Sequence, residues 1–141
     1  QHLNAFIDQA LAKRSLSDEN LALVGFSQGT MMALHVALRR PQQLAAVLGY
    51  SGALAGAETL SSEIKSRPPL YLIHGDQDLV IPIGALFAAE IALTQAGCNV
   101  KSLVRAGLAH GIDTKGIEEG GSFLAEALST PLKGDCASGN F

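Results

Sequence analysis

A serine between two glycines gives this sequence its clearest chemical signal. Ser27 is the central residue of the pentapeptide Gly25-Phe26-Ser27-Gln28-Gly29. A continuous apolar run comes before the serine, and a nearly all-apolar stretch that predicts a helix comes after it. A serine on such a sharp strand-to-helix turn projects its hydroxyl above the sheet, where it can attack a carbonyl carbon. We expect the two outer glycines to keep side chains out of the space where strand and helix approach each other.

The predicted helix after the serine could stabilise the negative charge that such an attack creates. A helix N-terminus presents backbone N–H groups and the positive end of the helix dipole. The N–H of Gln28, which directly follows the nucleophile, is the expected oxyanion donor. An ordinary strand–helix turn with a serine in it is the alternative. A phosphate-binding loop is disfavoured, because the segment has neither a G-x-G-x-x-G nor a G-K-[S/T] pattern.

Two aspartates follow a predicted strand where an orienting carboxylate would be needed. A nucleophilic serine requires a general base, and that base requires a carboxylate to orient it. Asp76 and Asp78 come directly after His74-Gly75, the end of this strand. We favour Asp78 because it lies further into the loop, and we expect Asp76 to close the turn by accepting local backbone N–H groups. In the alternative, both aspartates only form the turn.

Of the four histidines, His110 is the candidate base. It lies in the loop 107–111, straight after the last predicted strand, and from there an imidazole can reach the serine from the far side of the sheet. The other three have structural interpretations. We expect His2 on an exposed helical turn, His35 packed inside a helix, and His74 as a structural residue at a strand end.

The elements that must position these groups alternate between helix and strand. Apolar runs bounded by turn residues predict strands at 21–26, 45–50, 70–74 and 99–105, of which the first is buried on both faces and the last is a more polar edge strand. Apolar periodicity, Pro and Gly predict helices over 2–14 and 29–40, from Pro82 to Gly97, and over a last stretch ended by Pro131. We expect residues 51–66 to be mostly loop with at most one short helix, and 133–141 to be loose. This alternation predicts a parallel sheet with helices on both faces and chemistry at the carboxyl ends of its strands.

Length and composition limit the remaining choices. A chain of 141 residues predicts one domain over 1–141. No run of about 18 apolar residues is present, so we expect no membrane insertion. The net charge of −3 and the scattered basic residues argue against nucleic-acid binding. Cys98 and Cys136 lack metal-ligand spacing, so we expect reduced thiols, a cytoplasmic protein and no metal site.

Together, these motifs resemble the phospholipase/carboxylesterase family, serine esterases related to acyl-protein thioesterases. The similarity runs from the first predicted helix to about Leu128. It is carried by segments that resemble the family's nucleophile elbow and helix, next strand end, acid loop and histidine loop, namely residues 25–34, 50–52, 74–82 and 107–111. Within the acid loop, the catalytic aspartate of the family falls on Asp78.

The resemblance implies a fold and an activity. The fold is the three-layer α/β-hydrolase type with a mainly parallel sheet, of which this chain supplies about four strands, the later half of the usual eight. The activity is hydrolysis of carboxylic esters, lysophospholipids or acyl thioesters with no cofactor, through Ser27, His110 and Asp78. The family's early strands, and the His-Gly loop that gives the second oxyanion donor, have no counterpart before Ser27.

The missing strands leave two further expectations. In the family's sheet the strand 21–26 lies in the middle, and here it carries no lysine, proline or bulge that would protect a natural edge. We therefore expect either a polypeptide that extends upstream of Gln1 or association through this strand, as in a homo-oligomer. The alternative function is a catalytically weak or dead half-domain that serves binding or assembly.

Overall fold

The computed structural model describes residues 2–129 of the chain. The helices of this region are α1 (His2–Lys13), α2 (Gln28–Arg39), α3 (Ala57–Glu63), α4 (Gly84–Gln95) and α5 (Thr114–Ser129). Its strands are β1 (Ala22–Phe26), β2 (Ala46–Tyr50), β3 (Leu70–Gly75) and β4 (Val100–Arg105), and a short 3₁₀ turn, Asp18–Asn20, precedes β1. The predicted elements are confirmed to within a few residues at their ends. The expectations for Pro131, Cys136 and the segment 133–141 lie outside the described residues.

The four strands form one parallel sheet in the order β1-β2-β3-β4. The predicted α/β fold with a parallel sheet is therefore confirmed. Phe26 pairs with Tyr50, and Tyr50 pairs with Ile73, so the carboxyl ends of the first three strands lie side by side. Ser27 follows β1 and Asp78 comes soon after β3, so the register brings both to the same edge of the sheet.

Helices cover the sheet on both faces and so make three layers. On one face α2 and α4 pack on the strands through a buried cluster that includes Leu34, Leu38, Val47, Leu70 and Leu93. Helix α1 packs against α2 and β1 on its own smaller cluster. On the other face α5 covers β2 and β3, where Phe123 and Leu124 contact Leu48, Tyr50, Tyr71 and Ile73. Burying apolar area in this way is the main force that holds the layers together.

The end of α2 is tied to the start of the chain by a buried arginine. Pro41 stops the helix, and the Arg40 side chain points back toward α1. Its guanidinium donates to Asp18 at 2.6 Å, to Asp8 at 2.8 Å and to Asn4 at 3.0 Å. The hydrogen bond to Asp18 outweighs the opposing effect of burial and, with Asp8, raises the pKa of Arg40. The arginine therefore has a specific structural role beyond its favourable place at a helix C-terminus.

Strand β1 differs from its expected environment. The prediction of burial on both faces is wrong, because Val24 is 57% exposed and Phe26 is 40% exposed. The reason is position: β1 lies at an edge of the sheet and pairs only with β2 in the part of the chain that the structure describes. Helix α5 covers β2 and β3 and leaves this corner of its face open.

The position of His35 differs from the one predicted. The expectation that His35 packs inside a helix is wrong, since His35 lies on the solvent side of α2. Its neighbours at 34 and 36 face inward, and a residue between them necessarily turns outward.

Cys98 is a buried free thiol. Among the described helices, none combines the length and the apolar character needed to cross a bilayer.

Candidate active site

The turn between β1 and α2 holds Ser27 in a strained conformation. Its backbone has φ 56° and ψ −117°, values that a residue with a side chain seldom adopts. Its N–H donates to the carbonyl of Tyr50 at 2.9 Å, and its own carbonyl accepts the N–H of Thr30 at 3.0 Å. Such strain costs about 1–3 kcal/mol and persists only where the surroundings impose it. Here the neighbouring strand and the first turn of α2 impose it.

The two glycines that flank the turn are not equivalent. A Cβ at Gly25 would lie 2.5 Å from the backbone nitrogen of Thr30, so glycine is required where strand and helix cross. A Cβ at Gly29 would meet nothing within 4 Å. The expectation that Gly29 keeps side chains out of a crowded space is therefore wrong. Gly25, in β1, is the point where the strand packs against the first turn of α2, whereas Gly29 lies on the exposed side of α2.

The loop between β4 and α5 brings His110 to the serine. The imidazole Nε2 lies 3.1 Å from Ser27 Oγ, and Nδ1 lies 2.7 Å from Asp78 Oδ2. The ring also contacts Phe26, with the ring centroids 4.8 Å apart. A histidine that contacts a hydroxyl on one nitrogen and a carboxylate on the other has one tautomer fixed, with the proton on Nδ1. Nε2 is then free to accept a proton from the serine.

Asp78 is held by several hydrogen bonds in a site closed to solvent. Its side chain is 0% exposed. Oδ2 faces His110, and Oδ1 accepts the N–H groups of Val80 at 2.9 Å and Ile81 at 2.8 Å. Burial alone would raise the pKa of Asp78, but the hydrogen bonds from His110, Ile81 and Val80 outweigh burial and lower that pKa. The carboxylate therefore stays ionised beside the imidazole.

Asp76 does not have the contacts expected of it. The prediction that Asp76 closes its own turn through local N–H groups is wrong, because its carboxylate bonds to a distant residue; the carboxylate that accepts local N–H groups here is Asp78, from Val80 and Ile81. Asp76 Oδ1 instead accepts the N–H of Gly107 at 2.8 Å, 31 positions along the chain. Sequence spacing could not reveal this contact, because it depends on how the β4–α5 loop folds back over β3.

His74 has the structural place expected of it. Its side chain is 2% exposed, and Nε2 donates to the carbonyl of Ile81 at 2.7 Å. A carbonyl oxygen can only accept, so this contact fixes the proton on Nε2. That nitrogen is also 3.6 Å from Asp78 Oδ2, the same carboxylate oxygen that His110 Nδ1 contacts. His74 thus supports the acid loop.

Gln28 begins α2, with its backbone at the exposed end of the helix. The first N–H groups of a helix have no acceptor within it, so the Gln28 N–H is free to donate a hydrogen bond to an incoming oxyanion. Two residues that the sequence interpretation missed close the histidine loop: Arg105 Nε donates to Asp113 Oδ2 at 2.9 Å. Asp113 Oδ1 also accepts the N–H of Gly116 in the first turn of α5. The opposite charges of Arg105 and Asp113, on either side of the loop, could have indicated this ion pair in the sequence.

The arrangement has the parts needed for nucleophilic attack on an acyl carbonyl. A hydroxyl, an imidazole and an ionised carboxylate are connected in that order, beside a helix N-terminus that can stabilise negative charge. Within the described residues there is no group of three histidine, cysteine or acidic side chains that could hold a metal ion.

Comparison with known proteins decides the family. The phospholipase/carboxylesterase family model matches residues 1–128. The chain belongs to the phospholipase/carboxylesterase family. Esterase YpfH of Escherichia coli (strain K12) is 33% identical over 97 residues, which are 69% of this chain and 40% of that protein. Acyl-protein thioesterase 1 of Saccharomyces cerevisiae is 28% identical over 123 residues, 83% of this chain and 54% of that protein.

Solved structures of similar proteins have the same architecture. The crystal structure of esterase PE8 superposes with a TM-score of 0.87 at 39% identity and covers 89% of this chain. The crystal structure of SOBER1 from Arabidopsis thaliana superposes with a TM-score of 0.85 at 27% identity and covers 91% of this chain. The matches account for 59% and 62% of those two chains. The α/β-hydrolase fold is thereby confirmed, and the matches span 40% to 62% of the length of these four relatives.

Proposed function

We propose that this chain carries the catalytic residues of a serine esterase that hydrolyses acyl esters or thioesters. The observation that carries the proposal is the continuous hydrogen-bonded connection from Ser27 through His110 to Asp78. The names of its relatives support the same class of reaction, since they include an esterase and an acyl-protein thioesterase. Small-molecule or protein-linked acyl groups are the substrate class, with lysophospholipids included by family resemblance.

In the proposed mechanism His110 acts as general base and then as general acid. Nε2 takes the proton from Ser27 Oγ as that oxygen attacks the substrate carbonyl, and Asp78 stabilises the resulting imidazolium. The N–H of Gln28 donates to the oxyanion of the tetrahedral intermediate. When the tetrahedral intermediate collapses, the alcohol or thiol leaves and takes the proton from His110 Nε2. Water, activated by the same imidazole, then hydrolyses the acyl-enzyme.

Kinetics of single and double variants test this proposal. Ser27→Ala is expected to lower kcat for a nitrophenyl ester on the order of 10⁴-fold or more, and His110→Ala by a similar factor. Asp78→Ala is expected to lower kcat by a somewhat smaller factor. Because the three groups act as one unit, Ser27→Ala/His110→Ala should be little worse than either single variant. If the loss in kcat of the double variant equalled the product of the two single losses, the mechanism would be contradicted.

A second proposal concerns association through β1. Its outer edge is unpaired within the described residues, and Val24 and Phe26 are exposed beside it. Unpaired strand edges beside apolar surface favour pairing with another strand. We propose that a neighbouring copy of this chain covers the edge of β1. Sedimentation at micromolar concentration should give an oligomer, which Val24→Lys should shift toward monomer; a wild-type monomer would contradict the proposal. The cytoplasmic location stays a prediction.

A further inference from the structure

The loop that carries His110 rests on the segment that follows β3. The N–H of Asp76 donates to the carbonyl of Arg105 at 3.1 Å, which continues the pairing of β3 with β4 past its last residue. The N–H of Gln77 then donates to the carbonyl of Leu108 at 2.9 Å. Gly75 has no room for a Cβ, because the Leu108 carbonyl lies against it. The loop is therefore in direct backbone contact with residues 75–77.

The carboxylate of Asp76 adds a contact at the turn that starts this loop. The chain reverses over residues 105–108, where the Leu108 N–H donates to the Arg105 carbonyl at 3.3 Å. Gly107 lies inside this turn with φ 76°, a conformation that favours glycine. The Gly107 N–H donates to Asp76 Oδ1 at 2.8 Å.

The position of this hydrogen bond matters because His110 is three residues further along. The imidazole must keep two distances at once, 3.1 Å to the serine oxygen and 2.7 Å to Asp78. The far end of the loop is held at Asp113, which accepts a hydrogen bond from the Arg105 side chain. The near end is held by Asp76. A shift of about 1 Å in a reacting group can lower a rate 10²-fold.

We propose that Asp76 is a positioning residue that acts through His110, by holding the histidine loop at the Gly107 N–H. The inference rests on the proposed esterase function and assigns the two aspartates of the 76–78 segment different tasks. Asp78 orients the imidazole itself, and Asp76 fixes the loop from which the imidazole projects. Asp76 has no contact with the reacting groups, so it is not a catalytic residue.

Three variants of the full chain test this assignment by steady-state hydrolysis of p-nitrophenyl acetate. Asp76→Ala removes the acceptor and should lower kcat about 10- to 100-fold, with KM within about twofold of wild type. Asp76→Asn keeps an oxygen acceptor at the same place and should recover kcat to within about threefold of wild type. Glu118→Ala, which removes an exposed carboxylate on α5, is the matched control and should behave as wild type. Circular dichroism confirms that each variant is folded.

A second readout does not depend on turnover. The imidazole proton that His110 Nδ1 shares with Asp78 should give a downfield NMR signal, identified by its loss in His110→Gln. In Asp76→Ala this signal should broaden or move, and in Asp76→Asn it should stay near its wild-type position. If the wild-type chain hydrolyses nothing, the proposed function fails, and this signal still tests Asp76 alone.

Several results would overturn the assignment. An Asp76→Ala variant with unchanged kcat and an unchanged imidazole signal would show that the loop does not need the carboxylate. A raised KM with unchanged kcat would indicate a role in substrate binding instead. If Asp76→Asn, folded, were as impaired as Asp76→Ala, the charge and not the acceptor position would be the important property. If Asp76→Ala does not fold, the outcome rests on Asp76→Asn, whose loss of the signal would equally refute the proposal.

Discussion

The contrast between Gly25 and Gly29 gives the most specific prediction about stability. A Cβ at Gly25 would lie 2.5 Å from Thr30 N and 2.6 Å from the carbonyl carbon and oxygen of Gly29. Ordinary contacts begin near 3.4 Å, so strand and helix would have to separate by about 0.9 Å. All three opposing atoms are backbone, and no side-chain rotation can relieve the overlap. Overpacking of this kind costs about 1–3 kcal/mol.

Gly25→Ala should therefore lower the free energy of unfolding by about 2–3 kcal/mol, a large part of the roughly 5–15 kcal/mol of a single domain. Hydrolytic activity should fall as well, because the displaced turn carries Ser27. Gly29→Ala is the matched control: its Cβ enters open space, and its effect should stay within about 0.5 kcal/mol.

Urea unfolding followed by circular dichroism measures both variants. The midpoint of Gly25→Ala should fall while the m-value stays constant, which indicates a change in stability and not in the surface exposed on unfolding. Equal stability of Gly25→Ala and wild type would refute the geometry of the turn. A loss in Gly29→Ala as large as that in Gly25→Ala would show that the first turn of α2 is crowded after all.

Two other side chains give predictions that need no substrate. Burial, followed by the hydrogen bond to Glu119, raises the pKa of Tyr71 to about 12, so in folded Tyr50→Phe the tyrosine absorbance should titrate near 12. Because this pKa lies above its ordinary value of 10.0, the stability contributed by Tyr71 is complete below pH 10 and is lost as pH rises toward 12; titration near 10 would contradict the buried site. Arg40→Met should destabilise the chain by about 3 kcal/mol in thermal unfolding, because it leaves Asp18 without its buried partner, and Arg40→Lys should recover part of that loss. An unchanged melting temperature in Arg40→Met would mean that the α1–α2 connection contributes nothing.

The sequence predicted the order of the elements and the positions that the site brings together. Apolar runs, turn residues and Pro41 locate the strands and helix ends, because burial and backbone geometry act locally along the chain. The choice of Asp78 and His110 followed from the rule that polar residues at the carboxyl ends of parallel strands converge. Their separation from Ser27 could be measured only in the structure.

The sequence did not reveal the properties that depend on distant neighbours. The exposure of Val24 depends on which strand pairs with β1 and on where α5 ends, and no local pattern records either. The open space at Gly29 and the outward direction of His35 depend equally on what lies beside α2. The contact between Asp76 and Gly107 joins two loops 31 residues apart, so the local turn pattern around Asp76 suggested a different partner.

Covalent labelling tests the central claim most directly, namely that Ser27 is a nucleophile activated by His110. The purified chain is treated with a fluorophosphonate, digested and analysed by mass spectrometry. We expect one phosphonate per chain, on Ser27, with no label in Ser27→Ala and much slower labelling in His110→Ala. Failure of the folded wild-type chain to react, or labelling that persists in Ser27→Ala, would contradict it.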